Sequence, residues 1–465
     1  MSTFSSLNAA TTALWAQRRA LDVTGQNIAN VNTEGYSRQR VDLQAIGGSV
    51  VPAFYSKSPG IGNGVNADDV SRIRDAFLES RGQTEHANGA RLLVEADTLE
   101  QVETAFREPG DTGIQSLLTE VWDAWEDAGN DAGTDGAGAQ LIQRMQTLVG
   151  GIQFSNASLE AQWTQTRENL DVMVKDVNQA AGSVAELNKA IRLATQSGLT
   201  SNDLADKRDV LVMQLAGQVG ATVRPGANGM VDVVVGGISL VSGSVASELA
   251  VAGSVDPDDA TGGDRPRIIT STGTLPVTVD GTAGGQLSAL TGIIPTYRNA
   301  LNGIAQSLAT TMNGGQAGGF DRAGQAGIAI LGPPGTVTAA TISLQFTDPK
   351  LIAASGVPGG PNLDNSNADR IGKFRDDPAG VDAGYRKMIV ELGVQAAVAI
   401  RNGDIQAVIS TQVDAARESV AGVNLDEEMT RMLSFQHAYS AAARMITAID
   451  ETLETLISRT GRVGL

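Results

Sequence analysis

The sequence predicts a mainly α-helical, elongated molecule with β-rich insertions, its N- and C-terminal helices paired as a coiled coil. Three observations carry this expectation. The two ends hold matching seven-residue apolar repeats: Leu7, Leu14, Leu21 and Ile28 at the start, and Leu425, Met432, Tyr439, Ile446 and Leu453 at the finish. Inside them lie tracts with three-to-four apolar spacing, and two Gly-rich blocks with β-branched alternation interrupt those tracts. A strict repeat of seven keeps one apolar seam on one side of a slightly underwound helix, and such a seam is stable only when other helices cover it.

Residues 3–30 read as one amphipathic helix, with Ser2, Thr3 and Ser5 as cap candidates and Asn32, Gly35 and Tyr36 marking its end. From Val41 to about Val70, short apolar stretches broken by Gly and Pro indicate extended segments and turns. Helical signals resume at Val70 and run to Gly220, with Gly-rich interruptions at 109–113 and 129–138. Within that tract Val172, Val174, Val177, Val184, Leu187, Ile191 and Leu193 recur at helical spacing, which predicts a long antiparallel pair or bundle. The segments MVDVVVGGISLVSG and RIITSTGTLPVTVDG, within 220–284, alternate as strands do. A further helix over 285–313 carries Leu287, Leu290, Ile293, Tyr297, Leu301, Ile304 and Leu308. A second β-like stretch, including TAATISLQF, spans 314–378, and a last helical tract runs from Asp382 to Thr460 with breaks expected at Gly393, Gly403 and 421–424.

That order implies nesting. We expect a terminal helical domain of residues 1–36 plus 423–465 and a helical-bundle domain of 37–220 plus 285–313 plus 379–422. A β-rich outer domain of 221–284 plus 314–378 completes the division. A helix from Leu425 to Thr460 would be roughly 54 Å long at about 1.5 Å per residue. On it, Phe435, Ala442, Ile449 and Leu456 extend the seam, whereas the matching N-terminal positions hold Ala10, Gln17, Thr24 and Val31. Burial contributes roughly 1.5–3 kcal/mol per large side chain, so the N-terminal seam is the weak one. The terminal regions are expected to be loose in the free chain and ordered on assembly.

Composition narrows the function classes. The 465 residues carry 52 acidic and 34 basic side chains for a formal charge of −18, the wrong sign for a nucleic-acid or anionic-membrane surface. There is no cysteine, which removes disulfides, thiol catalysis and thiolate metal sites. The two histidines, His86 and His437, stand far apart in helical sequence. Gly60, Gly62 and Gly64 lack the third glycine and strand–helix context of a dinucleotide loop and read as a turn. Counting twelve positions from Asp131 and Asp256 ends on Ile142 and Arg267, not the glutamate an EF-hand needs, so Asp135, Asp258 and Asp259 are loop carboxylates. No catalytic, cofactor or metal site is expected. The N-terminus lacks a basic region followed by an apolar one, and no run is long enough to span a membrane.

The segment LNAATTALWAQRRALDVTGQNIANVNTEGYSRQRV, with its core NIANVNTEGYSR from Asn27 to Arg38, resembles the N-terminal signature of bacterial flagellar axial proteins. GIGNGVNADDVSRIRDAFLESR resembles the segment that follows in that family, and VNLDEEMTRMLSFQHAYSAAARMITAIDETLETLI its terminal helix. NDLADKRDVLVMQLAGQVG, with Asn202, Asp203, Leu204, Asp206, Arg208 and Asp209, and GGQLSALTGIIPTYRNALNGIAQSLATTMN are similar to internal motifs of its hook-associated members.

The resemblance implies a structural role and no enzyme activity: a ring of identical subunits joining hook to filament. The partners it implies are the flagellar hook protein, hook-associated protein 3 on the filament side, the flagellar export apparatus, and an export chaperone binding the C-terminal helix. No cofactor, nucleic acid or membrane enters, and the chain would be extracellular, secreted without a cleaved signal peptide. Seam and signature together nominate as assembly residues Leu7, Leu14, Leu21, Asn27, Ile28, Asn30, Gly35, Tyr36, Leu425, Met432, Phe435, Tyr439, Ile446, Ile449, Leu453 and Leu456. The competing readings are another axial component, hook or rod, and a secreted enzyme with its site in the β-rich insertion.

Overall fold

The structure, a computed structural model, describes residues 3–47, 62–131, 134–273, 275–360 and 363–460. Helix α1 (Thr3–Ala29) opens the chain and α10 (Leu425–Thr460) closes it, and the two pack along each other as the repeats require. Between α1 and the body, β1 (Gln39–Ala45) and β2 (Val65–Arg72) form an antiparallel pair in which Gln39 faces Arg72. The cap candidate Ser2 lies outside the described residues. The expected helix start at Val70 is corrected: β2 continues to Arg72, and α2 (Ala76–Phe106) begins after Asp75, whose carboxylate accepts from the Phe77 and Leu78 amides.

The body is built on α4 (Asp135–Gln196), an unbroken helix of 62 residues, about 90 Å long at about 1.5 Å per residue. Against it pack α2, α3 (Ile114–Asn130), α5 (Asn202–Val219), α6 (Gly281–Ser288) and α7 (Ile294–Ala317), while α8 (Ser366–Gly372) packs on α3 and α9 (Val381–Ala421) lies along α2. Trp122, Trp125, Trp163, Tyr385 and Phe106 are fully buried there. Of the stripe expected on α4, Val174, Val177, Val184 and Ile191 enter the core, but Val172 and Leu193 face solvent. Gly393 and Gly403 do not break the last tract either, because α9 runs through both and stops only at Gly422.

The join between α6 and α7 shows how a local constraint is met. Pro295 has no N–H to offer the turn before it. Residues 289–293 loosen into a π-turn, Ile294 bonds back to Ala289, and the Leu290 carbonyl accepts instead from Trp163 Nε1 at 2.9 Å.

The first β block forms an antiparallel sheet in the order β3 (Thr222–Pro225), β4 (Val231–Val235), β5 (Ile238–Ser242), β6 (Val245–Ala246), with a separate pair of β7 (Leu249–Ala252) and β8 (Arg267–Thr270). It docks on the C-terminal half of α4 through asparagines that act as backbone surrogates. Asn178 exchanges two hydrogen bonds with Leu249, at 2.9 and 2.8 Å, and Asn188 donates to the Val231 and Gly243 carbonyls at 2.7 Å. Among the described residues the second block is mostly loop, with the short β9 (Leu331–Gly332) and β10 (Ser343–Leu344) as its strands. It sits at the other half of α4, where Gln153 donates to Ile342. The two blocks share no sheet among the described residues, so the expectation of a strand-rich 314–378 is corrected. Gly and Pro there close turns and leave too few consecutive residues to build a ladder.

Candidate assembly interface

On α1 the fully buried positions are Ala10, Ala16, Ala20, Thr24 and Asn27. Small side chains let neighbouring backbones approach closely, and the leucine seam is left beside that line. Leu7, Leu14, Leu21 and Ile28 are only half-buried. On α10, Met432, Phe435, Tyr439, Ile446, Ile449 and Leu453 are half-buried, Ala442 is buried, and Leu425 and Leu456 are exposed at 46% and 52%. The pair thus presents an apolar seam that one intrachain contact covers only in part.

The signature residues do a different job. Asn27, 1% exposed, sits at the base of α1 with all its capacity used: Nδ2 donates to the Gln39 carbonyl at 2.9 Å and to Glu428 Oε2 at 3.0 Å. Its Oδ1 accepts from the Gln39 amide and the Tyr36 hydroxyl, both at 2.9 Å. Asn27 therefore clamps α1, β1 and α10 together within one chain. Glu428 is itself 1% exposed and is further held by Arg431 at 3.1 Å, while Asn424 caps α10 by accepting from the Asp426 amide at 3.0 Å. Asn30 closes the end of α1, donating to Gln26 O at 2.9 Å. Gly35 has φ +75°, and a Cβ there would fall 2.2 Å from Val210 Cγ2, so the strap from α1 to β1 can press on α5 only with glycine at this position.

Burial first, then the carboxylates of Asp206, Asp203 and Glu428, push the Tyr36 phenol up to about 12 from 10. A phenol whose ionisation is raised by folding contributes stability below its unfolded value and loses it as pH rises through the folded one. The stability advantage of the native chain over Tyr36→Phe is expected to stay constant up to about pH 10 and to shrink between 10 and 12 in urea titrations. A flat advantage through pH 12 would refute this origin of the shift.

Behind the clamp lies an ion-pair knot. Arg72 from β2 bonds Asp206 and Asp209 of α5, each at 2.8 Å. Arg74 pairs with the same Asp209 and, at 2.6 Å, with Glu79 of α2. Glu79 also takes Arg417 of α9 at 3.0 Å, and Arg417 reaches Asp414, which accepts His86 at 2.9 Å. Arg208 lies under the knot, donating to Gly229 O at 2.8 Å, and burial followed by the charges of Arg72 and Arg74 lowers its guanidinium to about 10. Asp206 Oδ2 receives the Ser37 amide at 3.3 Å, and Asn202 donates to Val70 O at 2.9 Å. The Asn202–Asp209 stretch is thus the socket that receives the terminal domain. Spacing alone gives no sign of this, since its partners lie on the strap at Ser37, on β1 and β2, and at Arg74 just before α2.

Residues 99–331, α2 to β9, match the family model of the flagellar hook-associated protein FlgK helical domain. The chain belongs to the FlgK family of flagellar hook-associated proteins. The two ends match models shared more widely within the flagellum: residues 7–36 the flagella basal body rod protein, and 417–459 the flagellar basal body rod FlgEFG protein C-terminal region. Flagellar hook-associated protein 1 of Bacillus subtilis is 29% identical over 100% of this chain and 99% of its own length, and that of Escherichia coli 24% identical over 97% and 99%. The structure of the flagellar hook junction protein FlgK from Burkholderia pseudomallei shares the fold at a TM-score of 0.64, covering 75% of this chain and 100% of that one at 15% identity. As a FlgK-family member the chain is a structural component of the flagellum and partners within its axial structure. No helix among the described residues is long and apolar enough to cross a membrane.

Proposed function

We propose that this chain is the hook–filament junction protein of its bacterium, a ring of identical subunits whose α1 and α10 pack with neighbours into the axial tube. The observation that carries this reading is the half-covered seam of α1 and α10, held at a fixed angle to a rigid body by the Asn27 clamp and the Asp206–Asp209 knot. Leu7, Leu14, Leu21 and Ile28, with Met432, Phe435, Tyr439, Ile446, Ile449 and Leu453, form the intersubunit surface. Asn27, Tyr36 and Gly35 set its orientation. The hook protein lies on one side of the ring and hook-associated protein 3 on the other. The subunit leaves the cell through the flagellar export apparatus, with a chaperone on the C-terminal helix and without cleavage of a signal. The work is binding and mechanical adaptation, with no bond made or broken.

A strain lacking the gene is expected to build complete hooks, shed filament subunits into the medium and carry no filaments. Normal filaments would overturn the proposal, and absent hooks would favour a hook or rod role. In the free chain, limited proteolysis is expected to remove roughly the first 35 and last 40 residues before the body is cut, because the seam is only partly covered. Equal resistance along the chain would mean that the intrachain pair alone holds the ends.

A further inference from the structure

Helix α9 has two apolar faces. One, with Tyr385, Met388, Leu392, Ala396 and Val413, is buried against the body. The other points the opposite way: Val390, Val394, Val398, Ile405 and Val408 are between 51% and 69% exposed. At 100° per residue these five fall within an 80° sector about half a turn from the buried face, and they extend over about 27 Å of helix. A surface helix of a soluble protein carries charged and polar residues on its solvent side; one that is apolar on both sides is built to be covered on both.

We propose that this outer stripe of α9 seats against an acidic face of a neighbouring copy of the same chain in the assembled flagellum. The inference rests on the ring reading above. Two features select the occupant. Arg401 sits in the middle of the valine stripe, with no ion-pair partner among the described residues. A two-fold contact of α9 with its own mate would bring two Arg401 guanidiniums together, so the stripe meets a different surface of the neighbour, as the head-to-tail contacts of a ring require. A cation set among valines calls for an acidic counterpart, and a chain with 52 acidic against 34 basic residues offers it. Size explains why the contact is confined to the assembly. The stripe offers on the order of 400 Å² of apolar surface, about half of what one partner contributes to a stable pair. It closes only when α1 and α10 already hold neighbours side by side.

The chain has no cysteine, so a single introduced thiol is a unique probe. Val394→Cys is expected to react with a maleimide at least ten-fold more slowly in isolated flagella than in the free chain. Charged with a maleimide–benzophenone, it should photocrosslink into dimers and higher multiples of this chain. Equal reactivity in both states, or crosslinks only to hook or filament protein, overturns the proposal. In a second arm, Val394→Asp with Val398→Asp should leave the melting temperature of the free chain unchanged while reducing filaments retained after shearing at least ten-fold. Full retention overturns the stripe contact yet leaves the junction reading intact, whereas normal filaments in the deletion strain overturn the junction reading itself.

Discussion

Asp209→Ala is expected to destabilise the folded chain by about 3–5 kcal/mol, the cost of removing one partner from a buried ion pair. Asp209 is the only carboxylate in the knot that meets three guanidiniums: Arg72 at 2.8 Å, Arg208 at 3.2 Å, and Arg74. Without it Arg72 keeps Asp206 and Arg74 keeps Glu79, but Arg208, whose side chain is 5% exposed, faces two like charges with no carboxylate of its own. The depressed ionisation of Arg208 shows that this charge is already held against burial. Arg144→Ala is the control. Its pair with Glu120 joins side chains 44% and 37% exposed, and water screens such pairs to about 1 kcal/mol or less. Urea unfolding should therefore separate the two variants by at least about 2 kcal/mol. The knot also joins β2, α2, α5 and α9, so hydrogen exchange should rise at the strap of residues 30–37 and in the hairpin as well as in α5. A loss for Asp209→Ala no larger than for Arg144→Ala would show that the knot is ornamental.

The division between what the sequence reveals and what it hides follows from the range of each interaction. Seven-residue repeats and runs of alternation are local, so α1, α10, the strands of 222–270 and the break at 422–424 are legible from neighbours in the chain. Glycine in α9 misleads because its cost in a helix, about 1 kcal/mol relative to alanine, is small against the burial of Tyr385, Met388 and Leu392 on the same helix. The block at 314–378 misleads in the other direction, since its β-branched residues bury singly in turns. Ile330, Ile342 and Ile352 reach the core without a ladder. The leucines of α1 were visible, but which side chains would be covered depends on how closely α10 and the hairpin approach, and alanine and threonine decide that. The Asn202–Asp209 stretch is recognisable by resemblance and opaque in mechanism, because Arg72 and Arg74, which meet its carboxylates, stand more than a hundred residues away.

The clamp at the base of α1 makes the second large prediction, and its strength lies in an asymmetry. Asn27→Ala removes four hydrogen bonds at a site 1% exposed, one of them to an equally buried carboxylate. A hydrogen bond to a charged group is worth about 1.5–3 kcal/mol and a neutral one about 1, so the loss should be at least about 3 kcal/mol. Glu428→Leu, by contrast, takes away the buried charge itself. Asn27 then keeps its bonds to Gln39 and Tyr36, and Arg431, 42% exposed, turns to water. Removing the charge also removes its desolvation cost, so the loss should be limited to the one Asn27 Nδ2 hydrogen left without its acceptor, about 1–2 kcal/mol and less than for Asn27→Ala. If the two substitutions cost the same, the carboxylate and not the amide is the keystone. The difference matters for assembly, because a buried polar pair at one level of a helical pair fixes its register. Glu428→Leu should therefore leave the free chain stable and let α10 slip against α1, so that filaments form and detach under shear. Asn27→Ala should instead loosen α1 further in the monomer, raising hydrogen exchange along its length above that of the native chain and yielding bare hooks. Filaments equally robust in both strains would mean that the neighbours in the tube, and not the chain's own clamp, set the register.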